Sequence, residues 1–178
     1  MHVLFVCTGN ICRSPTAERL ARAGAVQMQI PDFTASSAGT RAVIGHPIHQ
    51  EAASVVEQLG GVAVDFAARQ LSGRLASSAD LILTMTRAHR DSVLELAPQK
   101  LNRTFTLPEV AALSSGSGAT SIADLAALRS GLEIDADLDI EDPIGQSAEV
   151  FAAVGARIAR LLPPVLELCR RSIDPDAM

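Results

Sequence analysis

The sequence has no tyrosine, no tryptophan and only one lysine, Lys100, among its 15 basic residues. Five phenylalanines are its only large aromatic residues, so bases and sugars would find little surface on which to stack. The formal net charge is −5, whereas a general nucleic-acid binder needs a surplus of lysine and arginine to contact phosphates. These shortages predict a protein without a nucleic-acid partner.

Long apolar runs are missing as well. The most apolar stretch, residues 151–169, is interrupted by two arginines and by Pro163-Pro164, and a membrane span needs about 18 apolar residues in a row. The apolar start of the chain is too short for a secretory signal and lacks a basic beginning. The three cysteines show no repeating spacing, which favours reduced thiols over permanent disulfides. We therefore expect a cytoplasmic protein with no membrane partner.

Cofactor signatures are also lacking. The sequence contains no glycine-rich dinucleotide motif and no Walker loop, so no nucleotide cofactor is expected. His46 and His49 flank a turn and the start of a helix without the spacing or partners of a metal site. His89 falls in a predicted helix, where we place it on the surface. We expect neither a metal nor an organic cofactor.

Four short apolar runs alternate with amphipathic segments along the chain. The runs, which we predict as strands, cover residues 3–6 (followed by Cys7), 33–37, 80–85 and 103–107. Helices are predicted from Ser14-Pro15 onward, over 48–59, over 87–96 and over 147–169, the last one kinked at Pro163-Pro164. Parallel strands need helical crossovers. The order predicts one α/β domain over residues 1–178, with a four-stranded parallel sheet between two helical layers.

One segment departs from this alternation. Residues 114–121 read Ser-Ser-Gly-Ser-Gly-Ala-Thr-Ser, and residues 133–142 carry six acids in ten positions. Such composition is typical of long solvated loops. We predict a flexible surface excursion over residues 111–138.

The loop after the first strand has the residues of an anion site. Ligands of open α/β sheets bind beyond the carboxyl ends of the strands, where this loop meets a helix N-terminus. Gly9 and Asn10 permit tight backbone turns that aim amide groups inward. Arg13 can donate two parallel hydrogen bonds to a phosphate. Ser14 is the predicted cap of the helix, with Pro15 at its first position.

Cys7 stands at the start of this loop. A cysteine beside an arginine and a helix N-terminus favours the thiolate form, and Ser14 could donate a hydrogen bond to its sulfur. By itself, a cysteine at the end of a buried strand is more often a packing residue. The neighbouring glycine, asparagine, arginine and serine instead favour Cys7 as a nucleophile placed beneath a bound phosphate.

The run Cys7-Thr8-Gly9-Asn10-Ile11-Cys12-Arg13-Ser14-Pro15 resembles the signature loop of the low molecular weight protein tyrosine phosphatases. The likeness extends through residues 37–40, residues 79–85 and Asp142-Pro143. It does not include the segment around residues 111–138. It implies a phosphomonoester hydrolase that acts through a phosphocysteine intermediate on phosphotyrosine-containing proteins, as a monomer or weak homodimer.

The resemblance also implies a role for each site residue. Cys7 would be the nucleophile, Arg13 the group that stabilises the transition state, and Asp142 the general acid and then the base. Pro143 restricts Asp142 to extended geometry; the second Asp-Pro pair, Asp174-Pro175, lies too near the end of the chain to be favoured. The phosphate-binding positions would be Thr8, Gly9, Asn10, Ile11, Cys12 and Ser14. Cys12 either pairs with the oxidised nucleophile, as the matching cysteine of the family does, or packs below the loop.

Two positions depart from the family's pattern. Ile144-Gly145 follows Pro143 where aromatic residues are common, and Phe66 stands where a histidine often braces the loop. Ile11, where the arginine-phosphatase branch has threonine, favours a phosphotyrosine-like substrate. Phosphoarginine or small-molecule phosphatase activity, arsenate reduction and a non-enzymatic phosphocarrier remain as alternatives. Arsenate reduction would need cysteines within residues 80–98, which contain none, and a carrier would not need Arg13.

Overall fold

Four parallel strands form one sheet in the computed structural model, which describes residues 1–116, 118–129 and 139–173. The strands are β1 (His2–Cys7), β2 (Thr34–Gly39), β3 (Leu81–Thr84) and β4 (Thr104–Thr106). Their order across the sheet is β2-β1-β3-β4, which places β1 in the interior with parallel neighbours on both sides. Each predicted strand is present, with bounds shifted by one or two residues.

Helices connect the strands as parallel pairing requires. They are α1 (Arg13–Gln27), α2 (Gln50–Gln58), α3 (Gly73–Ser78), α4 (Arg87–Leu96), α5 (Leu107–Gly116), α6 (Ile122–Leu128) and α7 (Ala148–Ile173). A 3-10 helix, Pro98–Arg103, leads into β4. The sequence analysis missed α3, which is a single short turn capped by the Ser72 side chain.

The alternation of side chains along β1 divides the core between the two faces of the sheet. Val3, Phe5 and Cys7 pack on one face with residues of α1, α5 and α7. Leu4 and Val6 pack on the other face with residues of α3 and α4. Successive strand residues point to opposite faces, so a strand that is apolar throughout has to be covered twice. The predicted α/β architecture with helices on both faces is confirmed.

The prediction that Ser14 caps the first helix is wrong. Helix α1 begins at Arg13, with Cys12 at the N-cap and without a side-chain cap bond. The Ser14 hydroxyl is instead turned toward the end of β1, where it contacts Cys7 and Asn10. Pro15 still lies in the first turn, where its missing N–H costs no intrahelical bond.

The prediction of a flexible surface excursion over residues 111–138 is wrong for the parts that the structure describes. Helix α5 extends to Gly116, and α6 begins with a capping box formed by Ser121 and Asp124. Leu113 and Leu125 are fully buried in the core shared with α1 and α7. The small and polar residues around 114–121 gave no indication that these two leucines are buried. Residues 130–138, which include most of the predicted acidic run, lie outside the described residues.

The last helix continues through both prolines. Pro163 and Pro164 lie inside α7, which runs without a break from Ala148 to Ile173. Within the described ranges, no helix combines the length and the apolar character that crossing a bilayer requires.

Candidate active site

The loop from Cys7 to Arg13, called the phosphate loop below, is held from outside by the chain that follows β2. Four of its carbonyl oxygens accept backbone hydrogen bonds from that chain. The bonds run from Thr40 to Cys7, from Arg41 to Thr8 and from Val43 to Gly9, each 2.9 Å long. His49 N–H donates to the carbonyl of Ile11 at 2.8 Å.

This outward bonding of the carbonyls directs the amides inward. In a trans peptide the C=O and the following N–H point in opposite directions. The N–H groups of Thr8, Gly9, Asn10 and Cys12 therefore point toward the concave side of the phosphate loop. Gly39 lets β2 come this close, because a Cβ atom there would collide with the Thr8 carbonyl oxygen. The result is a ring of amide donors of the kind that binds anions.

Asn10 fixes the conformation of the loop. Its φ of 55° lies in the left-handed region, and its side chain is fully buried. The side-chain oxygen accepts from the Arg69 backbone N–H at 2.9 Å, which settles the orientation of the amide. The NH2 group then donates to Ser14 Oγ at 2.9 Å and to Ser37 Oγ at 2.8 Å.

The hydrogen-bond partners of Ser14 and Ser37 follow from this orientation of the amide. Ser14 Oγ accepts a hydrogen bond from Asn10 and lies 2.9 Å from Cys7 Sγ. Ser37 Oγ also accepts from Asn10 and donates to the buried Glu18 carboxylate at 2.6 Å. The buried network thus reaches the Ser14 hydroxyl, which is placed to donate a hydrogen bond to a Cys7 thiolate.

Phe66 occupies the position at which a histidine often braces the phosphate loop in this kind of sequence. Phe66 packs beside the small cluster of Cys12 and Phe151 below the phosphate loop, and the Arg19 guanidinium lies 5.5 Å from its ring centroid. Arg69 holds the phosphate loop in place instead. Its backbone N–H donates to the Asn10 side-chain oxygen, and its Nε donates to the Ser37 carbonyl at 2.7 Å. Sequence reasoning missed Arg69, Ser37 and Glu18 as parts of the site.

Arg13 lies at the first position of α1 and is buried, with 4% of its surface exposed. One terminal nitrogen donates to the Ile140 carbonyl at 3.0 Å, and the other forms a short ion pair with the Asp142 carboxylate. Its Nε is buried and has no acceptor among the described residues. A buried donor without an acceptor is costly. An anion on the concave side of the loop would satisfy it.

Asp142 lies opposite the loop, at the mouth of the site. Its side chain is 47% exposed, and its second oxygen accepts from the Ile144 N–H at 3.3 Å. Gln146 donates to the Asp142 carbonyl and to the Glu141 carboxylate, which holds the Asp-Pro turn. The carboxyl group is therefore placed between solvent and the guanidinium. The second Asp-Pro pair, at Asp174, lies outside the described residues.

A cavity of about 430 Å3 opens above the phosphate loop. The loop and Arg13 form its base, and Arg41, Val43, Asp142 and Ile144 form its walls. Val43 and Ile144 are apolar yet exposed, so they can contact the organic part of a bound phosphate ester. The aliphatic walls expected from the sequence are present around the cavity.

The prediction that His89 lies on the surface of its helix is wrong. Only 7% of its surface is exposed. Its Nε2 lies 2.8 Å from the Thr8 hydroxyl, and its Nδ1 lies 2.8 Å from the hydroxyl of Thr86, the N-cap of α4. Burial, with the charge of Arg13 second, lowers the pKa of His89 to about 4. His89 is therefore a neutral bridge between α4 and the phosphate loop, and no local pattern in the sequence marks it.

Three cysteines are free and buried. Burial, followed by the nearby Cys7 sulfur, raises the pKa of Cys12 to about 12. Burial likewise raises the pKa of Cys169 to about 12, in agreement with its predicted place in the core. Cys12 packs with Ile48 and Phe151, and we expect it to remain a thiol under reducing conditions.

The described residues hold no group of three or more His, Cys, Asp or Glu side chains arranged to hold a metal ion. His49 has a local role instead, since it caps α2 by accepting from the Glu51 N–H and stacks on Phe151. The three residues that the sequence assigns to chemistry, Cys7, Arg13 and Asp142, line one cavity.

Comparison with known proteins gives one consistent family. The sequence model described as low molecular weight phosphotyrosine protein phosphatase matches residues 2–124. The low molecular weight protein-tyrosine-phosphatase Wzb of Escherichia coli (strain K12) is 33% identical over 159 residues, which cover 89% of this chain and 88% of the relative.

Solved structures agree with the sequence comparison. The low molecular weight protein tyrosine phosphatase from T. tengcongensis superposes with a TM-score of 0.75 at 32% identity, covering 94% of this chain and 98% of that one. The YwlE arginine phosphatase from Geobacillus stearothermophilus superposes with a TM-score of 0.72 at 31% identity, covering 93% of this chain and 90% of that one.

Proposed function

Because this chain belongs to the low molecular weight phosphotyrosine protein phosphatase family, we propose that Cys7, Arg13 and Asp142 carry its catalysis. The enzyme is a cysteine-dependent protein tyrosine phosphatase. The observation that best supports the three assignments is the buried Nε of Arg13, which has no acceptor within the described part of the chain, while Arg13 lines the same cavity as Cys7.

In the first step the Cys7 thiolate attacks the phosphorus atom. A sulfur–phosphorus bond forms while the bond to the ester oxygen breaks, and that oxygen keeps the electron pair. The inward amides of the phosphate loop and the Arg13 guanidinium stabilise the negative charge on the three equatorial oxygens. No metal ion is required for this stabilisation.

Asp142 supplies the proton that the leaving oxygen needs. A bound phosphate competes with Asp142 for the Arg13 guanidinium and so frees the carboxyl group to contact the ester oxygen. After the alcohol or phenol has left, the same carboxylate takes a proton from water. That water attacks phosphorus, the sulfur leaves as thiolate and inorganic phosphate is released.

Thr8, Gly9, Asn10, Ile11, Cys12 and Ser14 are proposed to shape the phosphate site. The Ser14 hydroxyl forms a hydrogen bond with the Cys7 sulfur, and Asn10 keeps the loop in its strained, left-handed conformation. The peptide amides of the loop bind the phosphate, so most of these side chains maintain the shape of the loop and take no part in the reaction. Ile11, with Val43 and Ile144, offers aliphatic contact to a phenyl ring.

We propose further that residues 1–178 act as a single domain, as a monomer or weak homodimer in the cytoplasm, without nucleic acid or membrane partners. The three free cysteines fit a reducing compartment, where a thiolate nucleophile stays reduced. The formal charge of −5 is unsuited to polyanionic partners.

Steady-state hydrolysis of p-nitrophenyl phosphate and of a phosphotyrosine peptide tests the assignment. Cys7→Ser should abolish turnover of both, whereas Cys169→Ser, which changes a cysteine buried away from the cavity, should retain it. Hydrolysis of a phosphoarginine peptide is measured in parallel, because the YwlE structural relative is named an arginine phosphatase. Turnover by Cys7→Ser above trace level would contradict the covalent route.

A further inference from the structure

A second cavity adjoins the one above the phosphate loop. It has a volume of about 520 Å3, and Thr8 and Arg41 line both cavities. One wall consists of the chain after β2 with Gln70, and the other consists of α4. We call this second cavity the flanking groove; the lining residues that matter below are Thr8, Arg41, Gln70, His89, Glu95 and Leu96.

Arg41 stands where the two cavities meet. Its backbone is held firmly, because its N–H donates to the Thr8 carbonyl and Gln70 bonds to the residues on either side. The Gln70 side chain donates to the Thr40 carbonyl at 2.9 Å and accepts from the Ala42 N–H at 3.0 Å. The Arg41 side chain is exposed. Within the described parts of the chain, its guanidinium forms no hydrogen bond and no ion pair.

Positive and negative charge are unevenly distributed along the flanking groove. Its α4 wall begins near His89, which contacts Thr8, and ends near Glu95, six residues further on. A helix rises 1.5 Å per residue, so Glu95 lies about 9 Å further along α4 than His89. The positive charge of Arg41 is thus near the phosphate loop and the negative charge of Glu95 is remote from it. The exposed Leu96, next to Glu95, adds apolar surface at the end of α4.

We propose that the flanking groove binds the substrate chain beside its phosphorylated residue, and that Arg41 selects an acidic side chain close to that residue. The inference rests on the proposed function, because only a substrate held in the phosphate cavity places its neighbouring residues in the groove. A carboxylate next to the phosphorylated residue meets an arginine with free donors. An acid placed further along the groove meets Glu95 instead.

The size of the effect follows from the exposure of Arg41. An ion pair open to solvent contributes up to about 1 kcal/mol, which corresponds to a preference of about two- to fivefold. Screening by salt should reduce the preference, since the Debye length falls to about 3 Å at 1 M ionic strength.

The test compares kcat/KM for matched phosphotyrosine peptides with glutamate, glutamine or lysine at the positions flanking phosphotyrosine. The wild-type enzyme should prefer glutamate over glutamine about two- to fivefold for at least one adjacent position. Arg41→Ala should bring this ratio to one, Arg41→Lys should keep it above one, and Arg41→Glu should shift the preference to lysine. Each ratio is taken within one variant, so a change in overall rate does not affect it.

Glu95→Gln is the matched control, because it removes a charge from the same groove. It should leave the preference for an adjacent glutamate in place. The inference is overturned if the wild-type enzyme hydrolyses all peptides alike, or if Arg41→Ala keeps the preference. Failure of the proposed function appears separately, as absence of wild-type turnover of p-nitrophenyl phosphate, and it overturns the inference too.

Discussion

Ser14 Oγ lies 2.9 Å from the sulfur of Cys7 and accepts a hydrogen bond from the Asn10 side-chain amide. A thiolate can only accept, so opposite a Cys7 thiolate the serine hydroxyl is the donor. Ser14 belongs to a buried network that extends from the Arg69 backbone to Glu18. The sulfur proposed as the nucleophile is thus connected to residues that do not line the cavity.

Ser14→Ala should lower kcat for p-nitrophenyl phosphate by about 10- to 100-fold, since a hydrogen bond to a charged group contributes about 1.5–3 kcal/mol. Alkylation of Cys7 by iodoacetamide should also slow at neutral pH. Ser114→Ala, which removes a hydroxyl bonded within α5, serves as the control and should behave as wild type. Unchanged alkylation of Cys7 in Ser14→Ala would contradict a role for this hydroxyl in the reactivity of the sulfur.

Asn10 combines an unusual backbone with three side-chain bonds, and two substitutions separate these roles. Asn10→Gly keeps access to the left-handed region, whereas Asn10→Ala does not. Both should lose most activity, and Asn10→Ala should be the less stable by about 1 kcal/mol in urea unfolding. Equal stability of the two variants would show that the strain at this position is unimportant.

His89 should make the enzyme less stable in mild acid. Its pKa is about 4 in the folded chain, below the ordinary value of 6.5, so the unfolded chain binds the proton first as the pH falls. The stability that neutral His89 contributes is complete above pH 6.5 and is lost as the pH falls toward 4. At pH 5 the loss should be about 2 kcal/mol relative to pH 7.5.

His89→Gln should remove this part of the pH dependence. The measurement is the free energy of unfolding in urea at both pH values, compared between the wild type and the variant so that the other titrating groups cancel. If the two proteins lose the same stability between pH 7.5 and pH 5, His89 is not held neutral by its surroundings.

Asp142→Asn should affect substrates according to their leaving group. Loss of a general acid costs about 100-fold or more when the leaving oxygen needs a proton, as for phenyl phosphate. The cost should be smaller for p-nitrophenyl phosphate, whose leaving group is stable as an anion. Asp139→Asn, which changes an acid that binds Arg87 instead, is the matched control. A uniform loss for both substrates would assign Asp142 to the positioning of Arg13 alone.

Much of the fold and the centre of the site could be predicted because their determinants are local. The phosphate loop and the first turn of α1 occupy one unbroken run of sequence, and β1 is marked by continuous apolar residues. The contribution of His89 could not be predicted, because its partner Thr8 lies 81 residues away and nothing near His89 signals burial. Glu18 and Arg69 were missed for the same reason.

Local patterns also misled in two places. The serine before Pro15 has the form of a helix cap, but the Cys7 sulfur and the Asn10 amide bind its hydroxyl more directly. Around residues 114–121, small polar residues dominate the composition, whereas burial is decided by Leu113 and Leu125 on either side. In both cases tertiary contacts outweigh the local preference of the sequence.

Cys7 should form a covalent bond with phosphorus during turnover. The most direct measurement is a rapid denaturing quench of the Asp142→Asn enzyme with substrate, followed by phosphorus NMR and peptide mass spectrometry. A phosphocysteine should be found on the peptide that contains Cys7, also when Cys12 is changed to serine, and it should be missing in Cys7→Ser. Phosphate on another residue, or turnover without any phosphocysteine, would contradict the account.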